Sequence, residues 1–273
     1  MPQVSVILPS WNRAGWLKKS IDSVLEQTFR DFELIVVDDA STDSTQEILT
    51  GYAGKIRSIT FAKNLGVSAA RNAAIKNCDS EWIAFLDSDD YWHPDKLQKQ
   101  IAQTVIRTEC PIHFTDEIWI RNGVRVNPKK KHQKLDGWIF KPSLELCLIS
   151  PSTVLLKREL FEVHGLFDEN LAICEDYDLW LRLTAQHKVA LLSEKLMTRH
   201  GGHEDQLSQS DWGIDRYRVQ SIIKILKTEK LRPQDRSAAI VVLRKKCRIL
   251  INGFRKRGKL EEVEKYEKIV NEY

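Results

Sequence analysis

An acidic turn follows an apolar run in the first half of the chain. Residues 82–86 (WIAFL) are continuously apolar, and Asp87, Asp89 and Asp90 come soon after them. Three carboxylates within four positions repel one another unless a cation or several donors lie close by. Mg²⁺ and Mn²⁺ prefer such oxygen ligands and commonly bind through one or two carboxylates and the phosphates of a substrate. The spacing therefore predicts a divalent metal with a phosphorylated ligand, and the alternative is an acidic turn that only caps the next helix.

The composition is that of an ordinary globular protein. The 273 residues are 42% hydrophobic and 29% charged, with a formal net charge of +4, which indicates neither disorder nor a membrane protein. The apolar runs are too short to cross a bilayer, and the N-terminal residues lack a signal-peptide pattern. The five cysteines are scattered, without a C-x-x-C pair. We therefore expect a cytoplasmic protein with reduced thiols.

Strand-like and helix-like segments alternate along the N-terminal part of the chain. β-Rich runs occur at 4–8, 32–37, 56–61 and 82–86, and helical patterns at 16–25, 45–52 and 67–77. This alternation predicts an α/β fold with a mostly parallel sheet and helices on both faces. Ligands of such sheets bind at the carboxyl ends of the strands. The loops expected there contain Pro9, Ser10, Asn12, Asp39, Asp87, Ser88 and Asp89.

The later part of the chain changes character. Asn122-Gly123 between two β-rich runs predicts a hairpin, and the basic run at 129–132 is either solvated or attracts an anionic partner. Helical patterns without strands follow. We predict a main domain at 1–205 and a C-terminal helical extension at 206–273. The basic residues of the extension are expected to face solvent or, alternatively, to make peripheral contact with anionic lipid headgroups.

Five segments resemble the motifs of one known family. They are VSVILPSWNR, ELIVVDDASTDST, NLGVSAARNAAI, WIAFLDSDDYW and, further on, CEDYDLW. Their combination and order resemble family 2 glycosyltransferases of the GT-A fold. The resemblance implies a three-layer α/β/α sandwich with a Rossmann-like nucleotide-binding half. It covers the predicted main domain and not the helical extension.

The resemblance assigns the nucleoside of a donor to the loops after the first two strands. Asp39 is expected to accept the N3–H of uracil or thymine, which favours a UDP-sugar and leaves a dTDP-sugar as the alternative. Pro9, Ser10 and Asn12 would line the nucleoside. Arg71 would contact the base or a phosphate, unless it is an ordinary surface arginine.

The acidic turn would hold the diphosphate of the donor. Asp87 is expected to meet the ribose or a metal-bound water, Ser88 to lie against the donor, and Asp89 to ligate Mn²⁺ or Mg²⁺ directly. The cation would neutralise the charge of the leaving diphosphate. His200 is the expected further metal ligand and His203 the competing one, while either could equally be an ordinary loop residue.

Inverting transfer needs a base for the acceptor hydroxyl as that hydroxyl attacks the anomeric carbon. The resemblance places Asp176 in this role, with Glu175 beside it. Both carboxylates would also interact favourably with the N-terminus of the helix that begins here. The two roles are compatible.

These features imply a metal-dependent, inverting glycosyltransferase that moves one sugar from a nucleoside diphosphate sugar to a hydroxyl of a glycan, lipopolysaccharide or other glycoconjugate. The Q-x-x-R-W motif of processive synthases is absent from the sequence, so single-sugar addition is favoured. The alternative is a catalytically inactive nucleotide-sugar-binding protein. A nucleic-acid partner is not expected, because no nucleic-acid-binding motif is present.

Overall fold

The computed structural model describes residues 1–202, 213–228 and 230–273. Its strands are β1 (Val4–Ser10), β2 (Phe32–Asp38), β3 (Arg57–Thr60), β4 (Trp82–Phe85), β5 (Tyr91–Trp92), β6 (Ile112–Arg121), β7 (Val124–Val126), β8 (Val154–Lys157) and β9 (Val189–Gly201). Its helices are α1 (Ala14–Leu25), α2 (Thr45–Gly51), α3 (Val67–Lys76), α4 (Lys96–Ile106), α5 (Phe140–Glu145), α6 (Glu159–His164), α7 (Glu175–Gln186), α8 (Asp215–Thr228), α9 (Pro233–Arg255) and α10 (Leu260–Glu272).

One sheet organises the chain, in the order β3-β2-β1-β4-β8-β6-β9-β5, with β7 beside β6. The β3-β2-β1-β4 half is entirely parallel, which confirms the parallel sheet predicted for the N-terminal part of the chain. The other half is mixed, because β8 runs antiparallel between β4 and β6. The sequence did not predict β8 or β9. The predicted hairpin is confirmed, since Asn122 and Gly123 both have positive φ and join β6 to β7.

Pro9 lies within a central strand without disrupting the sheet. The carbonyl of Ile7 accepts from Leu86 of the segment after β4, so Pro9, two residues later, directs its nitrogen to the same side. The last pair between β1 and β4 is Ile7 with Phe85. Because β4 has already ended beside Pro9, no ladder hydrogen bond is lost.

Helices cover both faces of the sheet. Alternate residues of β1 separate the faces: Val4, Val6 and Leu8 pack with residues of α1 and α4, whereas Ile7 packs in the cluster that includes residues of α3 and α7. This arrangement is the predicted α/β/α sandwich.

The C-terminal helices share a third apolar cluster with α5 and α7. Pro233 is the first residue of α9, and Gly258, with positive φ, separates α9 from α10. The predicted boundary between residues 205 and 206 lies outside the described residues. Among the helices that are described, none is both long and apolar enough to span a bilayer.

Candidate donor and acceptor site

The loops after β1 and β2 are tied together at the carboxyl edge of the sheet. Ser10 is paired with Asp38, and its carbonyl accepts from the amide of Asp39 at 2.9 Å. Asn12, in the left-handed region, receives a bond from Thr42 N at 2.8 Å and donates its own amide to Ser41 at 2.8 Å. Asn12 therefore fixes the two loops that were predicted to hold the nucleoside.

The two aspartates at the end of β2 have different partners. Asp38 accepts from Ser41 N at 3.1 Å and from the side chain of Gln46, so it stabilises its own turn. Asp39 is buried, and its two carboxylate oxygens accept from Leu65 N and Gly66 N, each at 2.7 Å. It holds the loop that leads into α3. Each carboxylate oxygen can accept a second hydrogen bond, so these two bonds do not prevent Asp39 from also contacting a nucleotide base. That contact stays a prediction.

Arg71 is not a surface residue, and that alternative is wrong. It is 2% exposed, and its guanidinium donates to Glu175 at 2.6 Å and to Asp87 at 2.8 Å. It also packs 5.1 Å from the ring centroid of Phe167. Burial opposes its charge, yet the two carboxylates raise the pKa of Arg71 above its ordinary value. Arg71 therefore connects the acidic turn to α7 through a buried, charge-assisted bridge.

Asp90 anchors the acidic turn from inside the protein. Its carboxylate accepts from Ser152 Oγ at 2.6 Å and from the amide of His200 at 3.0 Å. Ser152 also accepts from the amide of Asp87 at 3.0 Å. The carbonyl of Ser88 accepts from Ser20 of α1 at 2.8 Å. These bonds hold the turn rigidly while Asp87 and Asp89 remain partly exposed.

The residues predicted to bind metal lie around the same turn. The His200 amide binds Asp90, and its ring packs at 5.1 Å from Trp16 and 5.3 Å from Tyr91. Within the described ranges, no three His, Cys, Asp or Glu side chains form a group that could hold a metal ion. Asp87 and Asp89 are both partly exposed on this turn, so binding of a cation by them together with substrate phosphates stays a prediction. His203 lies outside the described residues.

The first turn of α7 carries three carboxylates with distinct partners. Glu175 binds Arg71, and Asp178 pairs with Arg182 and Lys224, each at 3.0 Å. Asp176 is partly exposed and forms no ion pair with any described residue. All three acids interact favourably with the N-terminus of the helix.

Comparison with known proteins identifies the family. Residues 5–154, more than half of the chain, match the sequence model described as "Glycosyl transferase family 2". The chain belongs to glycosyl transferase family 2. The resemblance seen in the sequence motifs is thereby confirmed. Four uncharacterised Rickettsia glycosyltransferases are 34% to 35% identical, and the chain spans only 32% to 58% of their lengths.

One relative with a named activity is WfgD of Escherichia coli, the UDP-Glc:alpha-D-GlcNAc-diphosphoundecaprenol beta-1,3-glucosyltransferase. It is 34% identical over 70% of this chain and 73% of its own length. Among solved structures, S. aureus TarS 1-349 with UDP-GlcNAc has a TM-score of 0.70 at 18% identity, over 99% of this chain and 92% of the TarS 1-349 chain. The mannosyltransferase PcManGT of Pyrobaculum calidifontis, with GDP-Man and Mn²⁺, has a TM-score of 0.67 at 17% identity, over 99% of this chain and 83% of the PcManGT chain. These structures show that the family 2 chain has the GT-A fold.

Three site residues of this family 2 chain had no signal in the sequence. Ser152 supports the acidic turn, and Cys147 lies 3.4 Å from the Asp176 carboxylate. Arg199 of β9 interacts electrostatically with the carboxylates of the site. Burial opposes its charge, but Glu117, Asp90, Asp87 and Asp176 raise the pKa of Arg199 above its ordinary value. Each lies on a segment distant in sequence from the motifs, so only the folded chain brings it to the site.

Proposed function

We propose that the protein is a metal-dependent, inverting glycosyltransferase. It transfers one sugar from a nucleoside diphosphate sugar to a hydroxyl of a glycan, lipopolysaccharide or other glycoconjugate. A UDP-sugar is the favoured donor and a dTDP-sugar the alternative. The competing proposal is a protein that binds nucleotide sugars without turnover.

The bridge through Arg71 is the observation that carries this proposal. It joins Asp87, in the turn assigned to the donor, to Glu175, the residue next to Asp176. The buried guanidinium of Arg71 would therefore hold the donor diphosphate and the proposed base in fixed positions relative to each other. Such fixed positioning of reacting groups is a large part of catalysis for transfer reactions.

Asp176 is the best placed carboxylate for the acceptor proton. Of the three acids in the first turn of α7, Glu175 and Asp178 are engaged in ion pairs, whereas Asp176 has none among the described residues. A general base needs an accessible lone pair. Asp176, which is partly exposed, satisfies this condition.

Asp89 would hold the divalent cation, with Asp87 beside it and His200 as the further candidate. The bound cation would supply Lewis-acid stabilisation of the charge on the leaving diphosphate. The residues around it have their own tasks: Asp90 and Ser152 hold the turn, and Arg71 balances the charge of Asp87. The manganese in PcManGT supports a test with this metal.

We also propose that the enzyme works at the cytoplasmic face of a membrane on a lipid-linked acceptor. The name of WfgD gives a diphosphoundecaprenol acceptor for that protein. The outer face of α9 supports this. Val241 and Ile249 are 66% and 53% exposed, and Arg244 and Arg248 lie exposed between them. Positions 241, 244 and 248 follow one another at helical spacing, and position 249 is exposed beside them on the outer side of α9. An apolar and basic surface suits an anionic bilayer.

Calorimetry of nucleotide binding tests the donor site. UDP, dTDP and GDP are titrated into the protein with Mn²⁺ and with a chelator, and UDP-sugars are then assayed for release of UDP. Manganese-dependent binding of UDP or dTDP, followed by release of the nucleotide from its sugar, would support the enzyme. Binding without any turnover would favour the inactive alternative, and the absence of binding would overturn both.

A further inference from the structure

Cys147 lies against the proposed base. Its Sγ is 3.4 Å from Oδ2 of Asp176 and 3.3 Å from the carbonyl of Ile149. The single thiol proton goes to one of these acceptors or is shared, and the charged carboxylate is the stronger acceptor. The other carboxylate oxygen of Asp176 accepts from Tyr177 N at 2.7 Å. Both oxygens of the base therefore have a donor.

The segment that carries Cys147 is fixed on both sides. The hydroxyl of Tyr177, next to the base, donates to the carbonyl of Leu144 at 2.6 Å. Lys134 Nζ donates to the carbonyl of Leu148 at 2.8 Å. Because these bonds flank the cysteine and one comes from α7 itself, the thiol keeps a defined position relative to Asp176.

We propose that Cys147 is a positioning residue that holds the Asp176 carboxylate in the orientation that receives the acceptor proton. This inference rests on the proposed function. A thiol is a weak donor, so it orients the carboxylate without strongly stabilising the anion. A hydroxyl at the same place would stabilise the anion more and make Asp176 a weaker base.

The surroundings keep the thiol protonated. Burial, followed by the charge of Asp176, raises the pKa of Cys147 well above its usual value, although Lys134 and Arg218 of α8 oppose this. Among the described residues, Glu175 on the same helix, Cys174 just before that helix and Arg199 on β9 also interact electrostatically with Asp176. None of these neighbours changes when Cys147 is replaced, so the variants report on the thiol alone.

The experiment compares Cys147→Ala and Cys147→Ser by release of UDP from the UDP-sugar that binds, across a pH series. For Cys147→Ala we expect kcat to fall roughly tenfold with little change in the donor KM, because the carboxylate loses its orientation. Cys147→Ser should recover most of kcat and shift the acidic limb of the kcat/KM profile to lower pH. Cys78→Ser is the control, since that buried thiol donates to the carbonyl of Ile75 away from the site.

Two results would overturn the proposal. One is a Cys147→Ala enzyme with the kcat and pH profile of the parent. The other is a loss of activity in both variants that is proportional to the fall in their melting temperatures, with an unchanged pH profile. That result would show that Cys147 has only a structural role. Turnover retained by Asp176→Asn would remove the base itself, and with it the proposed mechanism. If Asp176→Asn is inactive and Cys147→Ala is normal, only the inference about Cys147 fails.

Discussion

Arg71 donates to Glu175 at 2.6 Å across 104 residues of sequence, and this bond closes the site between α3 and α7. We expect Arg71→Ala to lower the free energy of unfolding by about 3 kcal/mol, because Glu175 and Asp87 would lose their buried counter-charge. Urea denaturation measures this loss. Arg57→Ala is the matched control: Arg57 pairs with Glu33 but is 53% exposed, so it should cost less than about 1 kcal/mol. Equal losses in the two variants would contradict the bridging role.

Replacement of Asp176 by Asn separates binding from chemistry. The variant should bind UDP in the presence of Mn²⁺ as the parent does and should lose turnover by about a hundredfold or more, because the amide cannot accept the proton. Calorimetry and UDP release measure the two properties. Asp178→Asn is the control, because it makes the same chemical change two positions further along α7. It breaks ion pairs with Arg182 and Lys224, so this variant should lose stability and keep turnover. The reverse pattern would assign the base to Asp178.

Asp89→Ala tests the metal site. We expect the variant to lose the difference between UDP binding with Mn²⁺ and UDP binding with chelator, because Asp89 is the proposed ligand. Glu47→Ala, which removes a carboxylate of α2, should leave that difference unchanged. Metal-dependent binding that survives in Asp89→Ala would show that Asp89 does not hold the cation.

Glu117 should contribute to acid unfolding. Burial alone would raise its pKa, but Lys134 and Arg199 hold the pKa of Glu117 at about 2, below its ordinary 4.5. A lowered folded-state pKa means that the ionised group stabilises the protein above pH 4.5, and that this contribution is lost as the pH falls towards 2.

Urea denaturation of the parent and Glu117→Gln over this pH range measures the contribution. The stability of the parent should fall by on the order of a few kcal/mol more than that of the variant. Glu194→Gln, at a side chain that is 50% exposed, should follow the parent curve. Parallel curves for Glu117→Gln and the parent would show that the Lys134 pair does not stabilise the fold.

The face of α9 should bind anionic membranes. We expect the protein to sediment with vesicles that contain phosphatidylglycerol and not with pure phosphatidylcholine, and added salt should release it. The double change Arg244→Glu with Arg248→Glu should abolish sedimentation. Arg30→Glu with Lys55→Glu makes the same charge change on exposed residues near the β3 edge and should have no effect. Loss of binding in both double variants would indicate attraction by net charge rather than by this face.

The parallel half of the sheet was predictable because its strands are continuous apolar runs separated by amphipathic helices. β9 was not predictable in the same way. Its apolar pattern is broken by the exposed residues Ser193 to Lys195, and its pairing with β6 is irregular between Thr115 and Glu117. An irregular register removes the alternation on which strand prediction depends.

The site shows the same division. The spacing of Asp87 and Asp89 located the acidic turn, since both carboxylates follow one strand. The burial of Arg71, and the contact of Asp39 with two backbone amides, depend on segments far apart in sequence. No local pattern encodes such contacts, so an exposed arginine remained a reasonable alternative until the fold was known.

α7 is enclosed from two sides. Leu179, Trp180 and Leu183 pack into the sheet cluster, whereas Tyr177, Leu181 and Ala185 pack against the C-terminal helices. A shortened chain that ended before α8 would expose the apolar residues on one side of this helix to solvent, and such a surface promotes aggregation. Shortened variants and chimeras should therefore keep α7 together with both the sheet and α8 to α10, because the helix that carries Asp176 packs against both.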